Sequence, residues 1–409
     1  MREMKDSGVK WIGEIPVTWN VYRNKNAFVC SKDLVGGKSS ETQLLSLTTK
    51  GIKLKDINNA EGKLPESFDT YQYVKKDEMV MCLFDLDCSA VFSGLSPYDG
   101  MISPAYKVLT CTDRMEPKYA DYWFQYISHG RKFNHYAKNI RYTLSYEEFS
   151  ALPMLFPDRE EQIRISNYLD AKCSKIDEII EKQHAIIEKL KEYKLSYINE
   201  VTNVNNGIKC HLGFIGQMKN GLNFTDTSEG HKIKFLGVGD FKDNFFVDKE
   251  EMFSTIISEE NVAEDYMLHS GDIVFVRSNG SKELVGRAVM VNGIEYPVTY
   301  SGFCIRFRNI RPDIIDSKFL LYYFRSLDFR KQLEKYSQGS NISNLNQDLL
   351  SSLQFTIPSK DYQKRRLDEM EIKCKEIDNA VIKFEGMNNK LQEYKKSLIY
   401  EVVTGKKEV

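Results

Sequence analysis

The chain has 409 residues, 42% of them hydrophobic and 28% charged, with 57 Lys and Arg against 58 Asp and Glu for a net charge of −1. It can bury cores and does not read as disordered, and the balance of charge excludes a protein held on nucleic acid by bulk positive charge, though not one with a local basic face. No apolar run approaches the roughly 18 residues of a membrane span, and the opening MREMKDSGVKWIGEIP lacks an apolar signal core, so a cytoplasmic location is expected.

Residues 1–156 read as a globular stretch of short β-rich runs divided by Gly and Asn turns. Within it, Asp77-Glu78-Met79-Val80-Met81 has the form of a turn entering a buried strand. Between Asp121 and Glu147 there is no acid, while Arg131, Lys132, Lys138 and Arg141 fall there with His129 and His135, which is how a neutral chain shows a basic stripe. Residues 157–207 then read as one long helix. After the opening Pro157 there is no proline, Glu, Lys, Leu and Ile dominate, and apolar positions recur three and four apart at Leu169, Cys173, Ile176, Ile180, Ile187, Leu190, Tyr197 and Val201. That is a heptad seam.

Residues 208–357 form a second globular stretch and 358–409 a second long helix. The helix segments are copies: the segment from Phe156 recurs from Ile357, 201 residues on and without a gap, so that Gln162 falls on Gln363, Cys173 on Cys374 and Glu192-Tyr193-Lys194 on Glu393-Tyr394-Lys395. The second seam runs through Met370, Cys374, Ile377, Val381, Phe384, Leu391, Leu398 and Val402. Each helix of about 45 residues makes a rod of roughly 65 Å. The globular stretches are diverged relatives: Lys118-Tyr119 and Tyr122-Trp123-Phe124 match Lys318-Phe319 and Tyr322-Tyr323-Phe324, and Gly271-Asp272-Ile273-Val274-Phe275 resembles the earlier turn-and-strand. Acid-free runs recur here, with Lys209 and Lys219 ahead of Asp226, and Arg306, Arg308 and Arg311 between Glu295 and Asp313.

Motifs for catalysis are missing. There is no G-x-x-x-x-G-K-[ST], no strand-borne G-x-G-x-x-G, no H-E-x-x-H and no N/D-P-P-Y of an amino-methyltransferase. Asp158 with Asp170-Ala171-Lys172 has the spacing of a metal-dependent nuclease, but two of the three fall inside the predicted helix, where such sites do not lie. The six His show no metal spacing, and the eight Cys stand apart with no C-x-x-C, so no metal site and no disulfides are expected.

WIGEIPVTW at 11–19, YDGMISPAYKVL at 98–109, LPMLFPDREEQ at 152–162, IGQMKNGLNFT at 215–225, SGDIVFVR at 270–277 and QGSNISNLNQDLL at 338–350, together with the paired helices, resemble the specificity subunit of Type I restriction–modification systems. After the proline the family shows an acid-Glu-Gln start. The first copy keeps it as Glu160-Glu161-Gln162, whereas the second has Asp361-Tyr362-Gln363, a departure expected to alter a partner contact. The resemblance implies an α+β chain with two target recognition domains, 1–156 and 208–357, each followed by a spacer helix, the helices packing as an antiparallel coiled coil. It implies a non-catalytic DNA-binding subunit that reads a bipartite, asymmetric site in double-stranded DNA. Two modification subunits carrying S-adenosylmethionine would dock on it, with restriction subunits that use ATP and Mg²⁺, and no cofactor would reside in this chain.

Base edges are read by Arg, Lys, Asn and Gln, and phosphates are held by Lys, Arg and small hydroxyls. In the first domain the candidates are Arg141 and Tyr142, with Lys132 and Lys138 as phosphate partners. In the second they are Arg277, Asn279, Ser281 and Lys282 of RSNGSK, with Lys219, and with Asn341, Ser343 and Asn344 at the place equivalent to Arg141-Tyr142. RSNGSK can equally be an ordinary polar turn, and 341–344 a helix-capping turn. The alternative for the whole chain is a duplicated coiled-coil scaffold or an RNA-binding protein. Gln183 and Asn388 interrupt the two seams near their middles, and an antiparallel register that brings them level would set polar against polar.

Overall fold

The computed structural model describes residues 2–56, 65–86, 92–137, 142–224, 230–258, 261–336 and 344–409. It mixes helix and sheet, and its contacts divide it into two compact units: residues 1–183 with 385–409, and residues 184–384. The first long helix runs Arg159–Thr202 and the second Lys360–Val403. Each starts at a side-chain cap, since Asp158 accepts from the Glu161 amide at 2.8 Å and Ser359 from the Tyr362 amide at 3.3 Å. The second ends before Gly405, whose φ of +73° is the left-handed turn that stops a helix. No described helix is long and apolar enough to cross a membrane.

In the first unit, β1 (Phe28–Ser31), β2 (Met79–Met81), β3 (Ser93–Leu95) and β4 (Lys107–Cys111) form an antiparallel sheet in the order β1-β4-β2-β3. The helix α1 (Pro117–His129) buries Tyr119, Trp123, Phe124 and Ile127 against it. The same core takes in Trp19, Phe133 and Phe149, then Ile165, Leu169 and Cys173 of the first long helix and Leu398, Ile399, Val402 and Val403 of the second. A two-stranded ribbon, Asn20–Arg23 with Pro153–Phe156, leads into the first long helix.

The second unit repeats this plan with one more strand. Its sheet of β5 (Gly216–Asn220), β6 (Phe246–Val247), β7 (Ile273–Val276), β8 (Ala288–Val291) and β9 (Cys304–Asn309) has the order β5-β9-β7-β8-β6, with β6 parallel to β8 and the other neighbours antiparallel. The helix α2 (Ser317–Phe324) covers it with Phe319, Leu320, Tyr323 and Phe324, and Ile198, Val201, Met370 and Cys374 of the long helices join that core. The matching ribbon is Ile208–His211 with Gln354–Ile357.

Within each unit the long-helix segments run antiparallel. In the first unit Lys407 lies over the Tyr168 ring and Lys395 bonds both oxygens of Asp177 at 2.7 Å; in the second, Tyr362 donates to the Val201 carbonyl at 3.0 Å and Lys194 bonds Asp378 at 2.7 and 2.8 Å. The seam positions Leu169, Cys173, Ile176, Ile187 and Val201 are buried, as are Met370, Cys374, Ile377, Leu398 and Val402. The register of the first pair brings Gln183 and Asn388 level, and both are buried. They do not bond one another: among the described residues Gln183 Oε1 and both polar atoms of the Asn388 amide have no partner.

One buried side chain ties each unit together where the long helix starts. Gln162 Oε1 accepts from the Glu116 amide at 2.8 Å, and its Nε2 donates to the Arg114 and Pro157 carbonyls at 3.1 and 2.9 Å. Gln363 does the same for the Asp316 amide at 2.9 Å and for the Ile314 and Pro358 carbonyls at 2.8 Å each. The neighbouring departure from the family pattern changes contacts inside each unit. Buried Glu161 accepts from the Trp19 indole at 2.9 Å and pairs with Arg2, while Tyr362 reaches the Val201 carbonyl. Gln363→Leu would leave three buried backbone groups unsatisfied; it is expected to destabilise the protein by about 2–3 kcal/mol, read as a lowered thermal unfolding midpoint.

Candidate nucleic-acid interface

In the second unit the candidates converge where β7 ends. The Arg277 amide donates to the Phe303 carbonyl at 2.7 Å, and the Arg277 carbonyl accepts from the Leu345 amide at 2.8 Å. Ser278 forms an antiparallel bridge with Asn344, which is exposed. The loop that follows is shaped by its own asparagine, since Asn279 Oδ1 accepts from the Ser281 amide at 2.8 Å, and Lys282 opens the next short turn, Lys282–Leu284. Arg277 is half-buried. Its Nη1 donates to the Gly302 carbonyl at 3.2 Å, and its buried Nε has no partner among the described residues. Arg277, Asn279, Ser281, Lys282 and Asn344 therefore share one rim, while Asn341 and Ser343 lie outside the described residues. The capping role falls to Asn346, whose Oδ1 accepts from the Leu349 amide at 2.7 Å.

Lys219 stands apart from that rim. The strand register sets it beside Arg306 and level with Val274, three positions before Arg277. Its ammonium bonds Asp265 at 2.8 Å and lies 4.0 Å from the Tyr266 ring centre. The acid-free run of arginines on β9 and beyond is not a basic stripe either. Arg306 is buried and donates to the Asp265 and Met267 carbonyls, Arg308 grips buried Asp272 through both oxygens at 2.7 and 2.8 Å, and Arg311 pairs with Asp313. Lys219 and Arg308 hold the exposed Asp265 carboxyl below its usual range, with the hydrogen bond from Lys219 the larger cause.

In the first unit Tyr142 is exposed with a left-handed φ of +46°, and its carbonyl accepts from the Leu86 amide at 3.4 Å. The Leu144 amide donates to the Leu83 carbonyl at 2.8 Å, as Leu345 does to Arg277 in the second unit. Residues 83–86, with Phe84 and Asp85, thus occupy the place of the RSNGSK loop. They were missed as candidates, although the likeness of 77–81 to 271–275 pointed straight to the loop that follows. Lys132 opens the turn Lys132–His135, half-buried, with its stem against Gly130. Lys138 and Arg141 lie outside the described residues.

The nuclease-like spacing is structural. Asp158 caps the first long helix, and Asp170 sits within that helix, where it accepts from Lys118 at 2.6 Å and from the Tyr122 hydroxyl at 2.8 Å. Among the described residues no group of three or more His, Cys, Asp or Glu could hold a metal ion. Burial pushes the Cys111 and Cys304 thiols up to about 12, so neither is a nucleophile at neutral pH.

Residues 210–399 match the family described as the Type I restriction modification DNA specificity domain. The chain is 25% identical over 300 residues to the Type I restriction enzyme StySPI specificity subunit of Salmonella potsdam, covering 65% of this chain and 63% of that protein. It is 25% identical over 146 residues to the EcoKI specificity subunit of Escherichia coli K12, covering 36% of this chain and 31% of that protein. Both matches span less than two thirds of the relative's own length. Among solved structures, a chain from a type I R-M system, studied for its complex assembly and conformational transition, superposes with a TM-score of 0.72 at 13% identity, covering 96% of this chain and 99% of that one. The HsdS subunit from Thermoanaerobacter tengcongensis does so with a TM-score of 0.50 at 13% identity, over 96% and 98%.

The geometry separates charges committed to the fold from those paired at the surface. Asp272→Ala would leave Arg308 half-buried and unpaired, and is expected to cost about 3–5 kcal/mol of stability. Asp265→Ala, at an 82% exposed carboxylate, is expected to leave the unfolding midpoint unchanged. Thermal unfolding of the two variants side by side checks the contrast.

Proposed function

We propose that this chain, a relative of the specificity subunits of Type I restriction–modification systems, is the non-catalytic DNA-reading subunit of such a system. Its two recognition domains, 1–156 and 208–357, each read one half of a bipartite, asymmetric site in double-stranded DNA. The helices of 157–207 and 358–409 pack as an antiparallel coiled coil that sets the distance between the half-sites. The observation that carries the reading is the recurrent rim: in each unit a strand-end loop is laced by a backbone hydrogen bond to the segment just before the last short helix, Arg277 to Leu345 and Leu83 to Leu144. Loops presented at the strand ends of a rigid sheet are what base-edge contacts need.

Modification subunits carrying S-adenosylmethionine, and restriction subunits using ATP and Mg²⁺, are the proposed partners. A second apolar stripe on the long helices supports docking. Ile179, Ile186 and Tyr193 are spaced seven apart and exposed, and the repeat-equivalents of the last two, Met387 and Tyr394, are exposed as well. In a coiled coil these positions flank the seam and are usually charged; apolar residues there suit further helices laid alongside.

Exchanging 208–357 for the matching domain of a relative, within the assembled complex, is expected to change one half of the site and leave the other intact. Methylation sequencing of the host genome reads the result, and changes in both halves would sink the modular reading. Arg277→Ala is expected to cost about 1–3 kcal/mol in binding and to relax preference at one base position. Lys132→Ala is expected to weaken binding evenly across sequences and to lower the salt slope by about one. Equal, sequence-independent losses for the two would reduce Arg277 to a phosphate contact.

A further inference from the structure

The second unit carries a clamp that its counterpart lacks. Residues 242–245 lead into β6, the strand by which this sheet exceeds the four-stranded sheet of the first unit. The Phe245 carbonyl accepts from the Met290 amide at 2.9 Å, which fixes the loop to β8. The half-buried Phe245 ring lies between two cations. The Lys194 ammonium, on the first long helix, is 4.7 Å from its centre, and the Arg325 guanidinium, at the end of α2, is 4.4 Å away. The Tyr322 ring is 5.5 Å off.

Both cations are themselves held. Lys194 bonds both Asp378 oxygens on the second long helix, and its side chain is only 14% exposed. Arg325 donates to the Ala288 carbonyl at 3.2 Å, and burial lowers its pKa to about 10. Desolvated cations at an aromatic face are attracted to the ring quadrupole more strongly than exposed ones. Phe245 thus adds a ring between cations to the apolar core through which the sheet-and-helix domain holds the long-helix pair of its own unit.

The repeat gives a built-in comparison. In the first unit Lys395 makes the same two-oxygen pair with Asp177, but among the described residues no ring faces Lys395, and Gln125 stands where Arg325 does. There α1 meets the second long helix through Tyr126 against Tyr400, 5.2 Å between centres. The two domains are therefore fastened to their helices by different chemistry.

We propose that Phe245 is a positioning residue for reading the second half-site: it fixes this domain along the first long helix, and so limits the spacer length the chain accepts. The inference rests on the DNA-reading function proposed above. The register sets Phe245, through Met290, level with Ile273, at the opposite end of β7 from Arg277, so its loss acts on distance and not on base choice.

The test uses the full chain assembled with its modification subunits. The site mapped by methylation sequencing for the wild type is made as duplexes with the native spacer and with one base pair added or removed, and affinities are compared. Phe245→Ala and Phe245→Leu are expected to lower discrimination between native and altered spacers about five- to tenfold while leaving the ranking of bases in each half-site unchanged. Phe245→Trp, which keeps an aromatic face, is expected to discriminate as the wild type does. Should Phe245→Ala fail to assemble, the Leu and Trp variants decide. Wild-type spacer discrimination in Phe245→Leu, or a change in base ranking, overturns the inference. A wild-type complex with no sequence preference at all would instead overturn the DNA-reading function itself.

Discussion

A glutamine buried at the first turn of each long helix is the constraint on which each unit depends. Where a strand gives way to a helix, backbone groups of the incoming segment and of the loop ahead of the covering helix are left buried without sheet or helix partners. A buried unpaired amide or carbonyl is costly, so some side chain must supply both a donor and an acceptor there. Gln162 and Gln363 do so with the same three partners in each unit: one amide, one carbonyl in the loop before the covering helix, and the carbonyl of the proline that opens the long-helix segment. Asn would be a carbon too short, and Glu could not donate. With this junction fixed, the covering helix, the ribbon and the long helix hold one arrangement, and the sheet that carries the candidate loops is placed by packing against them.

The long helices were legible because their signal is long: a gapless copy at 201 residues, a seam of threes and fours, and a proline only at the start. The sheets were not. Their strands run two to six residues, too short for period to separate a buried strand from a buried turn, and the order β5-β9-β7-β8-β6 depends on pairings far apart in sequence. Of the candidate site, Arg277 and Asn344 were found by residue type and by position in the repeat, and the fold brings their segments together. Arg306, Arg308 and Arg311 show the opposite. Their acid-free neighbourhood in sequence suggested a basic stripe, yet Asp272 and the carbonyls of Asp265 and Met267 reach the first two from more than thirty residues away, and Asp313 reaches the third. Charge runs report what is near in the chain, and ion pairing is decided by what is near in space.

The duplicated frame also bears on the proposed reading of two unlike half-sites. The candidate rim lies at the far end of β7 and its counterpart β2, whereas the glutamine junction lies at the start of the long helix. Substitutions at 279–281 or 84–85 change no backbone partner of Gln363 or Gln162, so these positions can diverge without touching the junctions, whereas Leu83 and Leu86 are buried in the core of the first unit. The loops differ in kind: RSNGSK holds an arginine, an asparagine and hydroxyls, while the partly exposed residues of 83–86 are Phe84 and Asp85. The same freedom extends to the fastening of each domain, by Phe245 between two cations in one unit and by Tyr126 on Tyr400 in the other. The helix ion pairs Asp177–Lys395 and Asp378–Lys194, by contrast, are kept as mirror copies. A shift of register in either unit would break its own pair. What the duplication holds constant is therefore the helix pairing, and what it releases is the chemistry at the rims, which is the division of labour that the proposed split, asymmetric target would require.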